Sequence, residues 1–441
     1  MKIFVACLGI SLLADVAYSQ FFFESVTLER FVPTFNTRGY GQSVAITDSF
    51  VLVAAPGHGS SIEIGAINVF HRDGKPDSEL RPTLPEPRGT FGYALAAAGN
   101  VAVVGDFGSE LPRGVVYVFD LLTGGVSHIL RPDPADNTRG FGRYVGFDGS
   151  LAIVSTSITS PSPELVVPVY VFDASSGALV SRILPDVSNA RGWVVAIEGD
   201  IALLCSPPLS SRALGRAYLY SVSTGQLLHE LTPAVSYPGD AFGSAVAISG
   251  NLVAIGAPGQ SSHGDAGAVY IYDATTGALL RTLSPSDAEP GNEFGHSVAL
   301  SGNTLLVGAL FGKSGERQSG TAYLFDASTG RQVVEIGPES FEPQHAFGHA
   351  VGITEDAAVV GVMRITSQPY DSYLYDIGLD YCAADLDRDG VVSPSDFNAW
   401  IAYFSLLASF DHHATACDQN GDGSCSPADF SAWVANYNAG C

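Results

Sequence analysis

The stretch that decides the fold is Phe242–Leu283, FGSAVAISGNLVAIGAPGQSSHGDAGAVYIYDATTGALLRTL. It holds four short apolar runs separated by Gly, Asn, Asp and Ser clusters, a pattern that is typical of a four-stranded antiparallel meander. The next unit repeats it closely from Phe294, as FGHSVALSGNTLLVGAL and then GTAYLFDASTGRQVVEI. The chain is therefore organised around a repeated four-stranded unit.

An aromatic residue followed by glycine opens each unit along the chain. The pairs are Tyr40-Gly41, Phe91-Gly92, Phe141-Gly142, Phe242-Gly243, Phe294-Gly295 and Phe347-Gly348, with Arg191-Gly192 as a degenerate copy. Their glycines lie 51, 50, 50, 51, 52 and 53 residues apart. Seven all-β units of this size, each with four strand signals, predict a seven-bladed β-propeller.

Within each unit the strands differ in character. The first is short and built from small or branched residues, as expected nearest the axis of a propeller. The second is apolar throughout, which predicts burial between neighbouring blades. The third alternates and ends in an Asp-x-x-Ser/Thr-Gly turn, where the Asp carboxylate can accept hydrogen bonds from following amides. This turn recurs at 173–177, 273–277 and 326–330.

The fourth strand indicates how the ring closes. It ends at a proline in six units, namely Pro82, Pro132, Pro185, Pro233, Pro285 and Pro338. The seventh unit ends near Asp376 without one, whereas a matching segment, SVTLERFVP, stands before the first unit at Ser25–Pro33. We expect this N-terminal segment to supply the outermost strand of the last blade, which would remove an open sheet edge.

Composition and the N-terminus narrow the function classes. The 441 residues carry a formal net charge of -24 and only 21 Lys and Arg, which argues against a nucleic-acid partner. Residues 1–19 have the basic start, apolar stretch and small residues of an export signal, with Gln20 as the predicted mature start. No later apolar run is long enough for a membrane span. We expect a secreted or cell-surface protein without a transmembrane helix.

The position after each FG glycine changes from blade to blade. Its residues are Gln42, Tyr93, Arg143, Trp193, Ser244, His296 and His349. If it faces the central funnel, it forms a mixed polar and aromatic ring suited to a peptide or glycan. The alternative is a set of tolerated residues at the start of a strand. His296 and His349 lie on adjacent blades without an evident third metal ligand, and Cys205 reads as a buried free thiol.

These repeats resemble the FG-GAP repeats of integrin α-subunit propellers and of many secreted bacterial proteins. The likeness covers residues 25–376 and rests on the FG opening, the period and the triplet Gly256-Ala257-Pro258. Integrin blades often carry an Asp-rich calcium loop between their first two strands, but here that loop is short, as in Ser249–Asn251. The resemblance implies the fold, and the short loop is a departure from the family at the place where its blades bind calcium.

After a linker at 377–381, residues 382–441 form an acidic, Cys-rich module with two calcium-loop patterns. The first places its oxygen ligands at Asp385, Asp387, Asp389, Val391 (through its carbonyl), Ser393 and Asp396, with Gly390 at the sharp turn. The second follows 33 residues later at Asp418, Asn420, Asp422, Ser424, Ser426 and Asp429, with Gly423 at the turn. A helix signal follows each loop. We expect two Ca²⁺ ions as cofactors.

Loops of this kind, each followed by one helix, resemble the EF-hand-like dockerin modules. The ending Ala439-Gly440-Cys441 is similar to the GC-type dockerins of secreted planctomycete-type bacterial proteins. The resemblance implies docking to a cohesin-like or surface partner. Four cysteines allow three disulfide pairings. Among these the GC pattern favours Cys382 with Cys441, which leaves Cys417 with Cys425 across the second loop.

The sequence supports several functions. The first is a non-enzymatic binding or surface-assembly protein, in which the 20–376 propeller binds an extracellular protein or glycan and the 382–441 module docks or anchors it. The second is a polysaccharide-acting enzyme with its site in the funnel, although no recurring inner-strand carboxylates or other catalytic motif appear. The third is a structural surface-layer component. A carboxylate pair in the funnel would favour the enzyme.

Overall fold

The computed structural model describes residues 25–29, 39–56, 65–83, 90–108, 113–136, 138–157, 167–186, 192–206, 214–233, 239–259, 266–314, 317–337, 345–364 and 371–377. The chain divides into two compact units, one of Val26–Leu374 and one of Met1–Ser25 with Tyr375–Cys441. The described residues belong to the first unit, together with those that complete its terminal strands. The predicted signal peptide, module 382–441, its calcium loops and its disulfides lie outside the described residues.

The described strands form seven four-stranded antiparallel sheets, which are the blades. Strand β1 (Ser25–Glu29) opens the chain. Blade 1 comprises β2 (Val44–Ile46), β3 (Phe50–Ala55), β4 (Ala66–His71) and β5 (Pro76–Leu80). Blade 2 comprises β6 (Ala94–Ala98), β7 (Val101–Asp106), β8 (Val115–Asp120) and β9 (Gly125–Leu130). After a 3-10 helix (Pro134–Asp136), blade 3 comprises β10 (Val145–Phe147), β11 (Leu151–Ser155), β12 (Val169–Asp173) and β13 (Leu179–Ile183).

The remaining blades repeat this order. Blade 4 comprises β14 (Val194–Glu198), β15 (Ile201–Ser206), β16 (Arg216–Ser221) and β17 (Leu227–Leu231). Blade 5 comprises β18 (Ala245–Ser249), β19 (Leu252–Ala257), β20 (Ala268–Asp273) and β21 (Leu279–Leu283). Blade 6 comprises β22 (Phe294–Ser301), β23 (Thr304–Ala309), β26 (Thr321–Asp326) and β27 (Arg331–Ile336), with the hairpin β24 (Lys313–Ser314) and β25 (Arg317–Gln318) inserted. Blade 7 contains β28 (His345–Ile353), β29 (Ala357–Arg364) and β30 (Asp371–Asp376).

The innermost strands close a ring. Each contacts the innermost strand of the next blade, in the order β2, β6, β10, β14, β18, β22 and β28, and β28 returns to β2. The predicted seven-bladed all-β propeller is confirmed for the described residues. No α-helix occurs in the part of the chain that the structure describes, so the helices predicted for the C-terminal module stay a prediction.

The ring is closed by the N-terminal strand, as the sequence predicted. The last blade has the strand order β1-β30-β29-β28, so β1 lies on its outer edge. Leu28 is fully buried and shares a hydrophobic cluster with Tyr40, Val44 and Leu374. The Tyr40 hydroxyl donates a hydrogen bond of 3.0 Å to the Leu28 carbonyl. Strand β1 therefore pairs with β30 in the last blade and also contacts Tyr40, the aromatic residue that opens blade 1.

Burial follows the position of each strand within its blade. All six residues of β3 are buried, and β19 is buried except at its first residue. The outer strands are more exposed, and each of β5, β9, β13, β17, β21 and β27 ends on a buried Leu or Ile. A register shift interrupts the pairing of the third and fourth strands in blades 1 to 6. Such bulges increase the local twist, which suits the splayed outer edge of a blade.

The two glycines of the FG-GAP motif meet across the seam between neighbouring blades. A Cβ atom added to Gly256 of β19 would lie 2.1 Å from the carbonyl oxygen of Gly295, which opens the next blade. Gly308 stands in the same relation to Gly348, at 2.0 Å. No side chain fits at such a distance. The motif glycines are therefore required because blade backbones touch there.

The Asp-x-x-Ser/Thr-Gly turns form as predicted and also link blades. The Gly277 amide donates to the Asp273 carbonyl at 2.8 Å, and the Asp273 carboxylate accepts from the Thr276 amide at 2.7 Å. His229 on β17 of the preceding blade lies with its Nε2 atom 2.8 Å from the carbonyl oxygen of Thr275 in this turn. His128 makes the equivalent contact with Ser175 at 2.9 Å. Outer strands thus hold the next blade's turn.

Candidate functional site

One end of the propeller carries the tight turns that begin at the FG motif. In these turns the FG glycine has a positive φ between 81° and 90°, a conformation that glycine adopts without a Cβ penalty. The residue after it donates its amide hydrogen to the carbonyl three residues earlier. This bond is formed by Gln42, Tyr93, Arg143, Ser244 and His296, at distances of 2.9 to 3.2 Å. The same backbone turn therefore presents a different side chain in each blade.

We call this end of the propeller the FG face. Its ring positions are Gln42, Tyr93, Arg143, Ser244, His296 and His349, and all six side chains are half-buried. Ring positions on adjacent blades contact each other at two seams. The Arg143 guanidinium carbon lies 5.8 Å from the Tyr93 ring centroid, and the rings of His296 and His349 are 5.2 Å apart between centroids. The FG face is thus a connected surface at these two seams.

Trp193 is not a ring position, and this corrects the sequence interpretation. It is fully buried, and its Nε1 atom donates a hydrogen bond of 2.9 Å to the Val167 carbonyl. It packs edge-to-face on Tyr218 at 6.1 Å, as Phe242 packs on Tyr270 at 5.5 Å. Trp193 therefore takes the place of the FG aromatic, and blade 4 has no FG turn.

The sequence contained a signal for this assignment. The aromatic residue stands two positions before Val195-Ala196-Ile197 in blade 4, but Phe242 stands four positions before Val246-Ala247-Ile248 in blade 5. Gly192 and Gly243 each stand three residues before the inner strand, so alignment on the glycine hid the fact that the aromatic residue of blade 4 is two residues nearer to its strand. Alignment on the aromatic and on the inner strand would have assigned Trp193 to the core.

Arg143 lies at the centre of an aromatic cluster at the seam of blades 2 and 3. Besides Tyr93, its guanidinium carbon is 5.5 Å from the ring centroid of Phe107 and 5.9 Å from that of Tyr144. Tyr93 and Phe107 pack edge-to-face at 5.0 Å. These distances are in the range of cation–π attraction. Sequence reasoning found Arg143 and Tyr93 but missed Phe107, which immediately follows β7, and Tyr144.

At the seam of blades 6 and 7, the surroundings of His349 disfavour its protonated form. Burial, together with the neighbouring His296, lowers the pKa of His349 from 6.5 to about 4. The Nδ1 atom of His349 is buried without a hydrogen-bond partner among the described residues. The Nδ1 atom of His296 lies 3.4 Å from a Glu293 carboxylate oxygen. No three metal-binding side chains are grouped as a metal site in the described ranges.

A channel of about 240 Å³ runs between the innermost strands. All seven blades contribute to its lining, which consists of Val44, Ala45, Ile46, Leu95, Ala96, Ala97, Val145, Gly146, Phe147, Val195, Ala196, Ile197, Val246, Ala247, Ile248, Ala299, Gly352 and Ile353. Every one of these residues is apolar or glycine. The ring positions of the FG face are not part of this lining. The ring positions thus lie at the FG face and outside the channel, whose lining side chains are all apolar.

Two remaining features concern the whole described chain. Cys205 is a buried free thiol, as predicted, and burial raises its pKa well above the usual range. Among the described residues no helix is both long and apolar enough to cross a membrane. Neither feature adds a chemical group to the FG face.

The FG-GAP repeat family matches two consecutive segments, residues 228–272 and 280–325. Each segment runs from the outer strand of one blade through the first three strands of the next, so the matched unit spans a seam. No curated protein matches the chain. The chain contains FG-GAP repeats and folds as a seven-bladed β-propeller.

Proposed function

We propose that this chain is a secreted, non-enzymatic binding or surface-assembly protein whose FG face binds an extracellular protein or glycan. The observation that carries the proposal is the contrast between scaffold and side chain on that face. Five ring residues form the same backbone hydrogen bond, yet their side chains range from serine to arginine and tyrosine. A rigid scaffold with variable, half-buried polar and aromatic groups is suited to recognition.

The channel lining supports binding over hydrolysis. Glycoside hydrolysis needs a pair of carboxyl groups placed on either side of the scissile bond. The channel-lining residues offer apolar side chains and glycine, with no carboxylate among them. The FG face is accordingly the part of the ring to which we assign the ligand.

The experiment that tests the assignment blocks the FG face without a change in the fold. In the full chain, Ser244→Cys is coupled to a bulky polyethylene-glycol maleimide, and binding is measured on arrays of extracellular glycans and proteins. Leu280→Cys is the matched control, because it lies on the outer strand of the same blade and is 42% exposed. The buried Cys205 thiol should not react.

The proposal expects coupling at position 244 to abolish binding and coupling at position 280 to leave it intact. Equal binding after both couplings would contradict it, as would the release of shortened glycan products from the array. Equal binding after both couplings would show that the ligand does not bind at the FG face. Release of shortened glycan products would make the chain an enzyme.

We propose in addition that the module at 382–441 binds two Ca²⁺ ions and docks or anchors the propeller to a cohesin-like or surface partner. Its two loops offer hard carboxylate, amide and hydroxyl oxygens, which are the donors that Ca²⁺ prefers. Chelation should lower the melting temperature of this module in the full chain and leave the propeller transition unchanged. Asp385→Ala with Asp418→Ala should remove the calcium response. An unchanged melting profile after chelation would contradict the assignment.

A further inference from the structure

The aromatic cluster around Arg143, formed by Tyr93, Phe107 and Tyr144, has unused hydrogen-bonding capacity. A guanidinium group carries five N–H donors. The Arg143 guanidinium makes no hydrogen bond or ion pair with any described residue. Its nitrogen atoms are not fully buried either. Its donors are therefore open to solvent, while three rings fix the position of the group.

Two further arginines lie close to Arg143 along the backbone. The carbonyl of Arg113 accepts the Phe141 amide at 2.8 Å, which brings the loop of Arg113 to the FG turn of Arg143. Arg139, which is exposed, lies one residue before that turn. The backbones of Arg113 and Arg139 are thus close to the turn of Arg143, and the Arg113 guanidinium donates a hydrogen bond of 3.2 Å to the Pro134 carbonyl, in a chain whose net charge is -24.

The nearby acidic groups already have partners. The Asp136 carboxylate pairs with Arg182 and accepts a hydrogen bond from the Tyr170 hydroxyl. Asp106 is buried, and its carboxylate accepts the Thr90 amide hydrogen at 2.7 Å. Neither group is recorded in contact with Arg143. The seam therefore offers an anion a positioned cation that no described carboxylate neutralises.

We propose that this cluster binds the carboxylates of an acidic polysaccharide built from uronic acid residues. The planar fork of Arg143 matches a carboxylate in a bidentate hydrogen bond. The half-buried ring of Tyr93 offers an apolar face for a pyranose ring and a hydroxyl for its polar edge. A polyuronate carries a carboxylate on every sugar, so a second carboxylate is available for the exposed Arg139 nearby. The inference deepens the proposed function and rests on it.

The test measures binding of the full chain to hexagalacturonate and to its fully methyl-esterified form by calorimetry. Esterification removes the charge and keeps the sugar backbone, so the ester should bind at least about tenfold more weakly, since a charge-assisted hydrogen bond is lost. Arg143→Gln should weaken hexagalacturonate binding to a similar degree. Arg143→Lys should restore part of the affinity, because lysine keeps the charge without the planar fork.

Arg281→Gln is the matched control, since it removes the same charge from the outer strand β21 and should leave affinity unchanged. Equal melting temperatures among the variants show that any loss of binding is local. An oligoglutamate of the same charge is the protein-like competitor. If it binds as tightly as hexagalacturonate, the polysaccharide assignment is wrong.

The outcomes separate this inference from the proposed function. If the chain binds another glycan or protein at the FG face, and Arg143→Gln has no effect, the inference is overturned and the proposed function stands. If hexagalacturonate binds but neither Arg143→Gln nor coupling at position 244 reduces its affinity, both are overturned. If hexagalacturonate and its ester bind with equal affinity, charge recognition is excluded.

Discussion

The seam between blades 5 and 6 and the seam between blades 3 and 4 achieve the same packing with different residues. At the seam of blades 5 and 6, which we call the regular seam, Gly256 touches the backbone of Gly295, and Phe294 packs edge-to-face on Tyr323 at 5.6 Å. At the seam of blades 3 and 4, which we call the irregular seam, Ser155 occupies the position equivalent to that of Gly256, and Trp193 replaces the FG aromatic. An isolated bridge between Ser157 and Gly192 joins the backbones there, as a bridge between Gly267 and Phe294 does at the regular seam.

The comparison separates two roles within the FG motif. The aromatic residue fills the space between blades, and a larger ring can do so without the turn. The glycine turn presents a side chain at the FG face, and blade 4, which lacks the turn, lacks that side chain as well. The aromatic therefore belongs to the fold, whereas the turn belongs to the candidate binding surface.

The largest effect is expected at the closing blade, where a seam depends on a strand from the other end of the chain. Leu28→Asp would place a carboxylate at a fully buried position of β1. An unpaired charge in such a site costs about 3–5 kcal/mol of unfolding free energy or prevents folding. Thr27→Asp, at an exposed position of the same strand, should change stability by less than about 0.5 kcal/mol. Chemical denaturation compares the two, and equal losses would contradict burial as the cause.

At the irregular seam, Trp193→Ala should lower the unfolding free energy by about 3–5 kcal/mol, because it empties a large buried volume. Trp193→Phe restores the aromatic found in other blades, so it should cost clearly less. The remaining cost reflects the lost hydrogen bond to the Val167 carbonyl, about 1–3 kcal/mol. Denaturant titration measures both. If Trp193→Phe costs as much as Trp193→Ala, the equivalence of Trp193 with the FG aromatic is wrong.

At the regular seam, Gly256→Ala should cost about 3 kcal/mol, because the new Cβ would meet the Gly295 carbonyl and force the blades apart. Ser155→Ala places the same residue at the equivalent position of the irregular seam, where the native serine already has a Cβ atom. It removes the 3.2 Å hydrogen bond from the Tyr144 amide to the Ser155 hydroxyl, worth about 1 kcal/mol. The difference between the two variants, measured by thermal and chemical unfolding, quantifies the tolerance of each seam.

Acidification should weaken the seam of blades 6 and 7. The folded-state pKa of His349 is about 4, below the ordinary value of 6.5, so the unfolded chain binds the proton more tightly. Stability is therefore greatest above pH 6.5, falls as the pH drops towards 4 and levels off below it, with a total loss of up to about 3 kcal/mol. His349→Gln should remove this part of the pH profile. An identical profile in the variant would exclude His349 as the cause.

The smallest effect is expected at the outer rim. His229→Ala removes the contact with the Thr275 carbonyl in the next blade, and a half-exposed hydrogen bond is worth about 0.5–1 kcal/mol. Leu227→Ala, on the same strand and 51% exposed, serves as the control. Hydrogen exchange of the Asp273–Gly277 turn should accelerate in the first variant only, and equal exchange in both would show that His229 does not hold the turn.

The blades and their closure could be predicted from the sequence because both follow from local sequence patterns. Apolar runs, turn residues and the near-constant period fix the number of sheets, and the missing proline strand pointed to Ser25–Pro33. Contacts across the seams were not predictable in this way. The touching of Gly256 and Gly295, or the gathering of Phe107 around Arg143, joins residues of different repeats that no periodicity pairs. Trp193 was misplaced because a glycine, and not the aromatic residue, was taken as the anchor of the repeat.

The noncovalent closure has a consequence for the order of assembly. Six blades are each built from neighbouring stretches of the chain, and such local contacts form quickly. The seventh must wait until β30 has been made, since its outer strand β1 is the first part of the fold to be synthesised. Until then β1 has no sheet to join and the apolar side chain of Leu28 remains unburied. Maturation should therefore end in one slow step, and chaperones would act on an almost complete ring that is still open.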